Sequence, residues 1–350
     1  MKVFAYFVEP ASYSIDLIRN IHQEKSILFC FIKGKTKAKS SENIDAIYLS
    51  ELSNFAKIRF VFNIWKSNDL IIVNGYNNYV FIFTFLFNLL SFRKRFLATE
   101  SDTKLRVPRN AFRRLFKSIY LSIIFQNKSV LGFAGGSKTH KDLFRHYGMA
   151  EKRIFLMPMV VDNQKYYHIH KNPNTVTFLF VGRLLKTKNV DVLCEKFISN
   201  FSDKKTKLII VGAGDGLSKL EKKFPQKKIE FKGEVFGDDL IKIYQNSSVL
   251  VFPSTWEQWG LVVNEALASS LPVIAHKEVG SIHDLIIGKE TGFVIENWEE
   301  LEEKMLELFY NKELCNQFSE NAVDLMKNNW NYDLYNKCLN KAIEKVKSWQ

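Results

Sequence analysis

Residues 253–268 read Pro-Ser-Thr-Trp-Glu-Gln-Trp-Gly-Leu-Val-Val-Asn-Glu-Ala-Leu-Ala and carry two glutamates, Glu257 and Glu265, on either side of Gly260. An apolar run at 249–252 precedes them, and the pattern from Gly260 onward predicts a helix over 260–269. The first amides of a helix have no partner inside it. Gly260, Leu261 and Val262 can therefore offer N–H groups to an anion, and the helix dipole adds to the attraction. Glu257 falls in the loop just ahead, and Glu265 about a turn and a half inside the helix. Carboxylates at those two places, one on each side of a bound diphosphate, would accept hydrogen bonds, one from sugar hydroxyls and the other from ribose hydroxyls. Spacing alone is weak in a chain this rich in Glu; the strand–glycine–helix junction carries the reading.

A second cluster of chemistry-bearing residues lies at 180–189, where an apolar run ends at Gly182 and is followed by Arg183 and Lys188. Gly182 permits close backbone approach. Arg183 brings a planar fork of donors and Lys188 a compact charge, a pair suited to a pyrophosphate, against the plainer reading of two solvated surface cations. A third candidate, Gly212-Ala213-Gly214-Asp215-Gly216, resembles a dinucleotide fingerprint. Its third glycine comes one residue early and it follows the second strand of its domain, so it is weak; Glu230, expected at the end of the next strand, is what keeps a nicotinamide reading in play.

These loops need a scaffold, and the chain supplies an alternating one. Strands are expected at 3–8, 26–32, 46–49, 70–73, 95–98, 130–134 and 154–157, with helices near 13–22, 51–67, 79–92, 109–125 and 138–147. A second series has strands at 177–181, 207–211, 229–232, 249–252, 273–275 and 292–295, with helices near 189–200, 216–224, 238–245, 260–269 and 281–286. From about Trp298 onward the pattern is helical. Alternation of this kind builds parallel sheets covered by helices on both faces, with ligands beyond the carboxyl ends of the strands. The expected fold is α/β: two Rossmann-like domains facing a cleft, over 1–163 and 174–330, with a C-terminal helix in 331–350 packing near their junction.

Taken together and in order, FVGRLLKTKNVDVL, LIIVGAGDGLSKL, IEFKGEV, VLVFPSTWEQWGLVVNEALASSLPVIA, VGSIHDLI and TGFVI resemble the donor domain of retaining glycosyltransferases of GT-B architecture, family 4. The resemblance covers about 175–295, and extends weakly upstream through GSKTHKDLFRHYGMAEKRIFLMPMVVDN, similar to the end of the acceptor domain. It implies that Arg183 and Lys188 neutralise the diphosphate of a nucleotide-sugar donor, with Gly182 in their loop. It implies amide binding by Gly260 to Val262, ribose binding by Glu265 and contact of Glu257 with the transferred sugar. Residues 232–235, with Gly233 and Val235, would line the base pocket. It also implies net retention with leaving-group stabilisation as the main device, and the chain has no Asp-x-Asp metal motif; no cofactor and no metal are expected.

The departures fall in the first half. The loop after the first strand, Glu9-Pro10-Ala11-Ser12, has no glycine, and Thr99-Glu100-Ser101-Asp102 stands where many relatives carry a His. Glu100 or Asp102 would replace that polar contact near the reacting sugar, or cap a helix. His140 is expected on a helix surface.

The net charge of +13 is unevenly placed. Residues 1–165 hold 26 Lys and Arg against 12 Asp and Glu, or +14, and the remainder balances near zero. An anionic partner for the first half follows: a membrane surface, nucleic acid or a phosphorylated acceptor, against a lysine-rich surface with no partner. No run reaches the ~20 apolar residues needed to span a bilayer. Residues 79–92 are apolar but interrupted by Asn88, and read equally as a core helix or an interfacial one; the basic cluster from Arg93 to Lys117 favours a membrane interface. The aromatics lie in apolar runs, which disfavours a nucleic-acid groove. Cys30, Cys194, Cys315 and Cys338 show no metal-ligand spacing, and with no signal peptide evident at the start they read as reduced thiols of a cytoplasmic protein. The leading expectation is a glycosyltransferase with a lipid-linked or glycan acceptor, peripheral at the inner membrane face. A nucleotide-sugar 2-epimerase on a similar fold is the competing enzyme class, distinguished by donor turnover without acceptor.

Overall fold

The computed structural model describes residues 1–34, 45–92, 95–168, 175–225 and 227–349. The chain divides into two compact units, Met1–Val160 with Tyr332–Gln350, and Val161–Asn331. In the first, strands β1 (Val3–Phe7), β2 (Leu28–Phe31), β3 (Leu70–Asn74), β4 (Phe96–Ser101), β5 (Val130–Ala134) and β6 (Ile154–Leu156) alternate with helices α1 (Ser12–Leu17), α2 (Asn54–Ser67), α3 (Tyr79–Leu90), α4 (Ala111–Gln126) and α5 (Thr139–His146). The strands pair in parallel in the order β2-β1-β3-β4-β5-β6. Central strands such as Leu70-Ile71-Ile72-Val73 are buried on both faces, which is why they read as continuous apolar runs. Helices α2 to α5 share one face of this sheet: Val61, Trp65, Phe81, Phe125 and Phe144 belong to one core cluster.

The second unit repeats the plan with α6 (Asn163–Tyr166), β7 (Val176–Val181), α7 (Val190–Phe201), β8 (Thr206–Val211), α8 (Leu217–Lys223), β9 (Ile229–Gly233), α9 (Gly237–Gln245), β10 (Val249–Phe252), α10 (Leu261–Ala268), β11 (Val273–His276), α11 (Ile282–Leu285) and β12 (Gly292–Ile295). Its parallel sheet runs β12-β11-β10-β7-β8-β9. Two helices, α12 (Trp298–Tyr310) and α13 (Lys312–Asp324), follow, and α14 (Tyr332–Lys347) belongs to the first unit.

Four local expectations need correction. The strand expected at 46–49 is a single parallel bridge from Tyr48 to Phe31, because the chain turns into a short helical turn at Leu49–Glu51. β4 extends past the expected 95–98 to Ser101: pairing with β3 on one side and β5 on the other overrides the polar Thr99-Glu100-Ser101 sequence, so Glu100 is a strand residue and not a helix cap. His140 is fully buried on α5 beside Leu143 and Phe144, not on its surface. Arg95, counted in the basic cluster, is also buried; it pairs with Asp69 at 3.1 Å and donates to the Lys66 carbonyl at 2.7 Å. Arg93, Lys94 and 169–174 of the expected interdomain stretch lie outside the described residues.

Candidate active site

The strand order of the second unit reverses between β7 and β10, the place where doubly wound sheets open a crevice beyond their carboxyl ends. The loops leaving those two strands, 182–189 and 253–260, are the two singled out for their chemistry. They are tied together: Thr255 donates its N–H to the Thr187 carbonyl at 2.9 Å, and Asn189 Nδ2 donates to the Pro253 carbonyl at 2.9 Å. Asn189 adopts a left-handed conformation (φ 50°) that Asn tolerates better than most residues. Lys188 is buried. Its ammonium donates to Glu257 Oε2 and, at 3.3 Å, to Ser254 Oγ, and lies 4.9 Å from the Phe252 ring centroid. Arg183 is exposed on the same loop.

Gly260 caps α10 at φ 93°, a conformation costly for any residue with a side chain. A Cβ here would also crowd Glu257 Cγ at 3.2 Å and Phe252 Cε1 at 3.3 Å. Val263 N–H to the Gly260 carbonyl opens the hydrogen-bond ladder, so the amides of Gly260, Leu261 and Val262 precede it. Leu261 and Val262 are half-exposed, leaving that helix tip open. The junction is braced from behind: Trp259 is buried, donates from Nε1 to Asn264 Oδ1 at 2.8 Å, and stacks on Trp330 at 5.6 Å. Rigid support of this kind is what an anion site made of backbone amides needs.

Glu265, one turn further along α10, is half-buried and accepts a 2.7 Å hydrogen bond from Tyr244 Oη on α9; Tyr166 on α6 also hydrogen-bonds to it. Burial raises its pKa to about 7 against the opposing effect of those two hydroxyls. The two glutamates thus have different partners: Glu257 pairs with Lys188, and Glu265 is held by tyrosines.

The glycines at 212–216 have a packing role. A Cβ on Gly212 would stand 1.9 Å from the Gly182 carbonyl oxygen, and one on Gly214 2.9 Å from that of Leu184. Leu184 N–H donates to the Ala213 carbonyl at 2.9 Å. The glycines therefore let the β8 loop lie flat against the β7 loop that carries Arg183 and Lys188. Glu230, expected at the end of its strand, is the second residue of β9 and is paired with Lys207 (2.9 Å) and Lys232 (2.8 Å), which removes the ribose partner of a nicotinamide reading. Gly233 ends β9 beside this loop, receiving the Gly212 N–H at 2.7 Å, and Val235 follows half-exposed.

The first unit has its own switch point, between β1 and β3, and a cavity of about 210 Å³ opens there. Glu9, Tyr13, Asn74, Glu100, Asp102 and Tyr335 are among its lining residues. Glu100 accepts from Asn74 Nδ2 at 2.6 Å and from Tyr335 Oη of α14 at 3.4 Å. Burial lifts its pKa to about 7, Asp102 adding to the rise and the two hydrogen bonds opposing it. Sequence reading missed Asn74, Tyr335, Ser254, Tyr166 and Tyr244, all partners of the site carboxylates and cations, and Asn189, which ties the two loops together. Only Asn189, an Asn where the chain enters a helix, left a local signal.

Two doubly wound parallel sheets, one with a helix tip and paired cations at its switch point, define a GT-B fold. Residues 163–324 match the family model described as glycosyl transferases group 1. A capsular polysaccharide biosynthesis glycosyltransferase of Staphylococcus aureus is 29% identical over 177 residues, 48% of this chain and 46% of that protein. A sulfoquinovosyl transferase of Arabidopsis thaliana is 30% identical over 200 residues, 53% of this chain and 38% of that protein. The chain thus spans less than half the length of the curated relatives it matches. The crystal structure of Anabaena HepE in complex with UDP has the same fold, with a TM-score of 0.73 at 15% identity over 98% of this chain and 100% of that one.

Proposed function

We propose that the protein transfers a hexose-type sugar from a nucleotide diphosphate donor to a lipid-linked or polysaccharide acceptor, with retention at the anomeric carbon. The observation that carries this is the open tip of α10 at Gly260, with Arg183 and Lys188 on the neighbouring loop and Glu257 and Glu265 on either side of the glycine in sequence. In this reading the diphosphate rests on the amides of Gly260, Leu261 and Val262. Arg183 and Lys188 balance the charge that builds on the leaving group, in place of a metal ion. Lys188 exchanges part of its bond to Glu257 for phosphate, which turns Glu257 toward the sugar. Glu265 takes the ribose hydroxyls, and Gly233 and Val235 border the base. Glu100 and Asp102 line the cavity of the first unit as polar contacts to the reacting sugar or acceptor. The positive first half holds the enzyme at the cytoplasmic face of an anionic membrane; no helix among the described residues is long and apolar enough to cross one.

The test is a thermal-shift panel of UDP-, GDP-, ADP- and TDP-sugars with and without EDTA. HepE was solved with UDP, which makes UDP-sugars the first to try. One nucleotide series should stabilise the protein, by about 2.7 kcal/mol at a hundredfold excess over Kd, and Glu265→Ala should abolish the effect. A panel in which no nucleotide stabilises the protein refutes the reading.

A further inference from the structure

The core side of α4 is formed by Leu121, Ile124 and Phe125. A second apolar face lies opposite. Phe112, Leu115, Phe116, Ile119 and Ile123 recur at i, i+3, i+4, i+7 and i+11, one stripe of a helix, and all are exposed, Phe112 by 86% and Phe116 by 75%. Its neighbour on the same sheet face repeats the pattern. The inward side of α3 holds Phe81, Phe85 and Asn88, whose amide is fully engaged with Trp65 Nε1 and the Arg95 backbone. Ile82, Leu86, Leu89 and Leu90 point the other way, Leu90 being 85% exposed. On α2, Phe55, Ile58 and Phe62 are exposed as well. Helices on a sheet normally turn mainly polar residues outward; these three turn large apolar ones outward as well.

Charge identifies what covers this face. The three helices contain Lys57, Arg59, Lys66, Arg113, Arg114 and Lys117 and not one carboxylate; the next acidic residue after Asp102 is Asp142. A second copy packed on the face would set cations against cations. A leaflet of anionic lipid offers hydrocarbon to the stripe and phosphates to its flanks. We infer that the outer face of α2, α3 and α4 inserts into the boundary between headgroups and acyl chains of an anionic membrane, beyond mere adsorption by charge. This deepens the membrane association proposed above and rests on it.

Flotation with vesicles tests the inference. Wild type should bind vesicles containing anionic lipid, and Phe112→Ser with Phe116→Ser should lose about a hundredfold or more, the worth of two buried phenyl rings, at every salt concentration. Ile119→Lys separates insertion from adsorption. A further cation on a face that only adsorbs tightens binding, by about fivefold, whereas on an inserting face it weakens binding. Tighter binding by Ile119→Lys, unchanged binding by the double serine variant, lipid-free dimers that the serine variant dissociates, or capture of RNA in preference to vesicles would each overturn it. The serine variant should keep its nucleotide-dependent thermal shift, which monitors the donor site. If vesicles bind as expected but no nucleotide stabilises the protein, the glycosyltransferase reading fails and the insertion stands.

Discussion

At the scale of single residues, the half-buried carboxyl groups of Glu265 and Glu100 make folding itself pH-dependent. Glu265 and Glu100 both rise from 4.5 to about 7 because burial disfavours their charge. Between those values the unfolded chain has released the proton and the folded one still holds it, so each group lowers stability as pH climbs from 4.5 to 7 and lowers it fully above 7. Glu265→Gln keeps an acceptor for Tyr244 and removes the titration. The variant should therefore gain on wild type by up to ~3 kcal/mol between pH 4.5 and 8, read as the pH dependence of the difference in Tm. A difference that stays flat across that range contradicts a raised pKa. At the cations, Arg183→Ala with Lys188→Ala should lower kcat by about a hundredfold or more at saturating donor; transfer that survives removes the leaving-group role. Glu257 and Glu265 could be singled out from sequence because they flank a glycine at a strand–helix junction. Their different partners could not, because Lys188 and Tyr244 reach them from 69 and 21 residues away.

At the scale of elements, loop packing decides what the motifs can do. Gly212 sits at φ 139° with the Gly182 carbonyl where a Cβ would go. Gly212→Ala should cost about 2–4 kcal/mol in denaturant unfolding and should weaken nucleotide stabilisation as well, since it pushes on the loop bearing Arg183. Ordinary stability in this variant would contradict the close approach. Strands were legible wherever the run is apolar, as at 130–134 and 249–252, because burial on both faces leaves that composition. β4 was cut short because its last residues, Thr99, Glu100 and Ser101, look like a loop until neighbours on both sides supply their hydrogen bonds. The helical caps were clearer in the structure than in the pattern: Ser53, Asn78 and Asn110 each accept from an amide three residues on, setting the starts of α2, α3 and α4.

At the scale of the whole molecule, the chain closes its first unit with its last helix. Tyr335, Leu339, Ala342 and Val346 of α14 are buried, Tyr335 reaches Glu100, and Trp349 lies against Phe96 with ring centroids 5.8 Å apart. Deleting 332–350 should destabilise the first unit by several kcal/mol, at roughly 1.5–3 kcal/mol for each large apolar side chain uncovered. The readout is lost hydrogen-exchange protection in β1, β3 and β4; intact protection there would show that α14 is dispensable. The same deletion removes a hydrogen bond from Glu100, so any pH dependence arising there should move with it.

Local pattern was enough to read two series of alternating strands and helices, the glycine-capped helix, the paired cations and the excess of positive charge in the first half, since each is written in neighbouring residues. Contacts between distant segments settled the rest: which strands sit at the two switch points, that Glu100 belongs to a sheet, that a fingerprint-like glycine loop is packing, and that α3 and α4 are apolar on both sides. The reason is physical. Periodicity shows that a face is apolar, but whether that face meets a core or stays open depends on partners dozens of residues away.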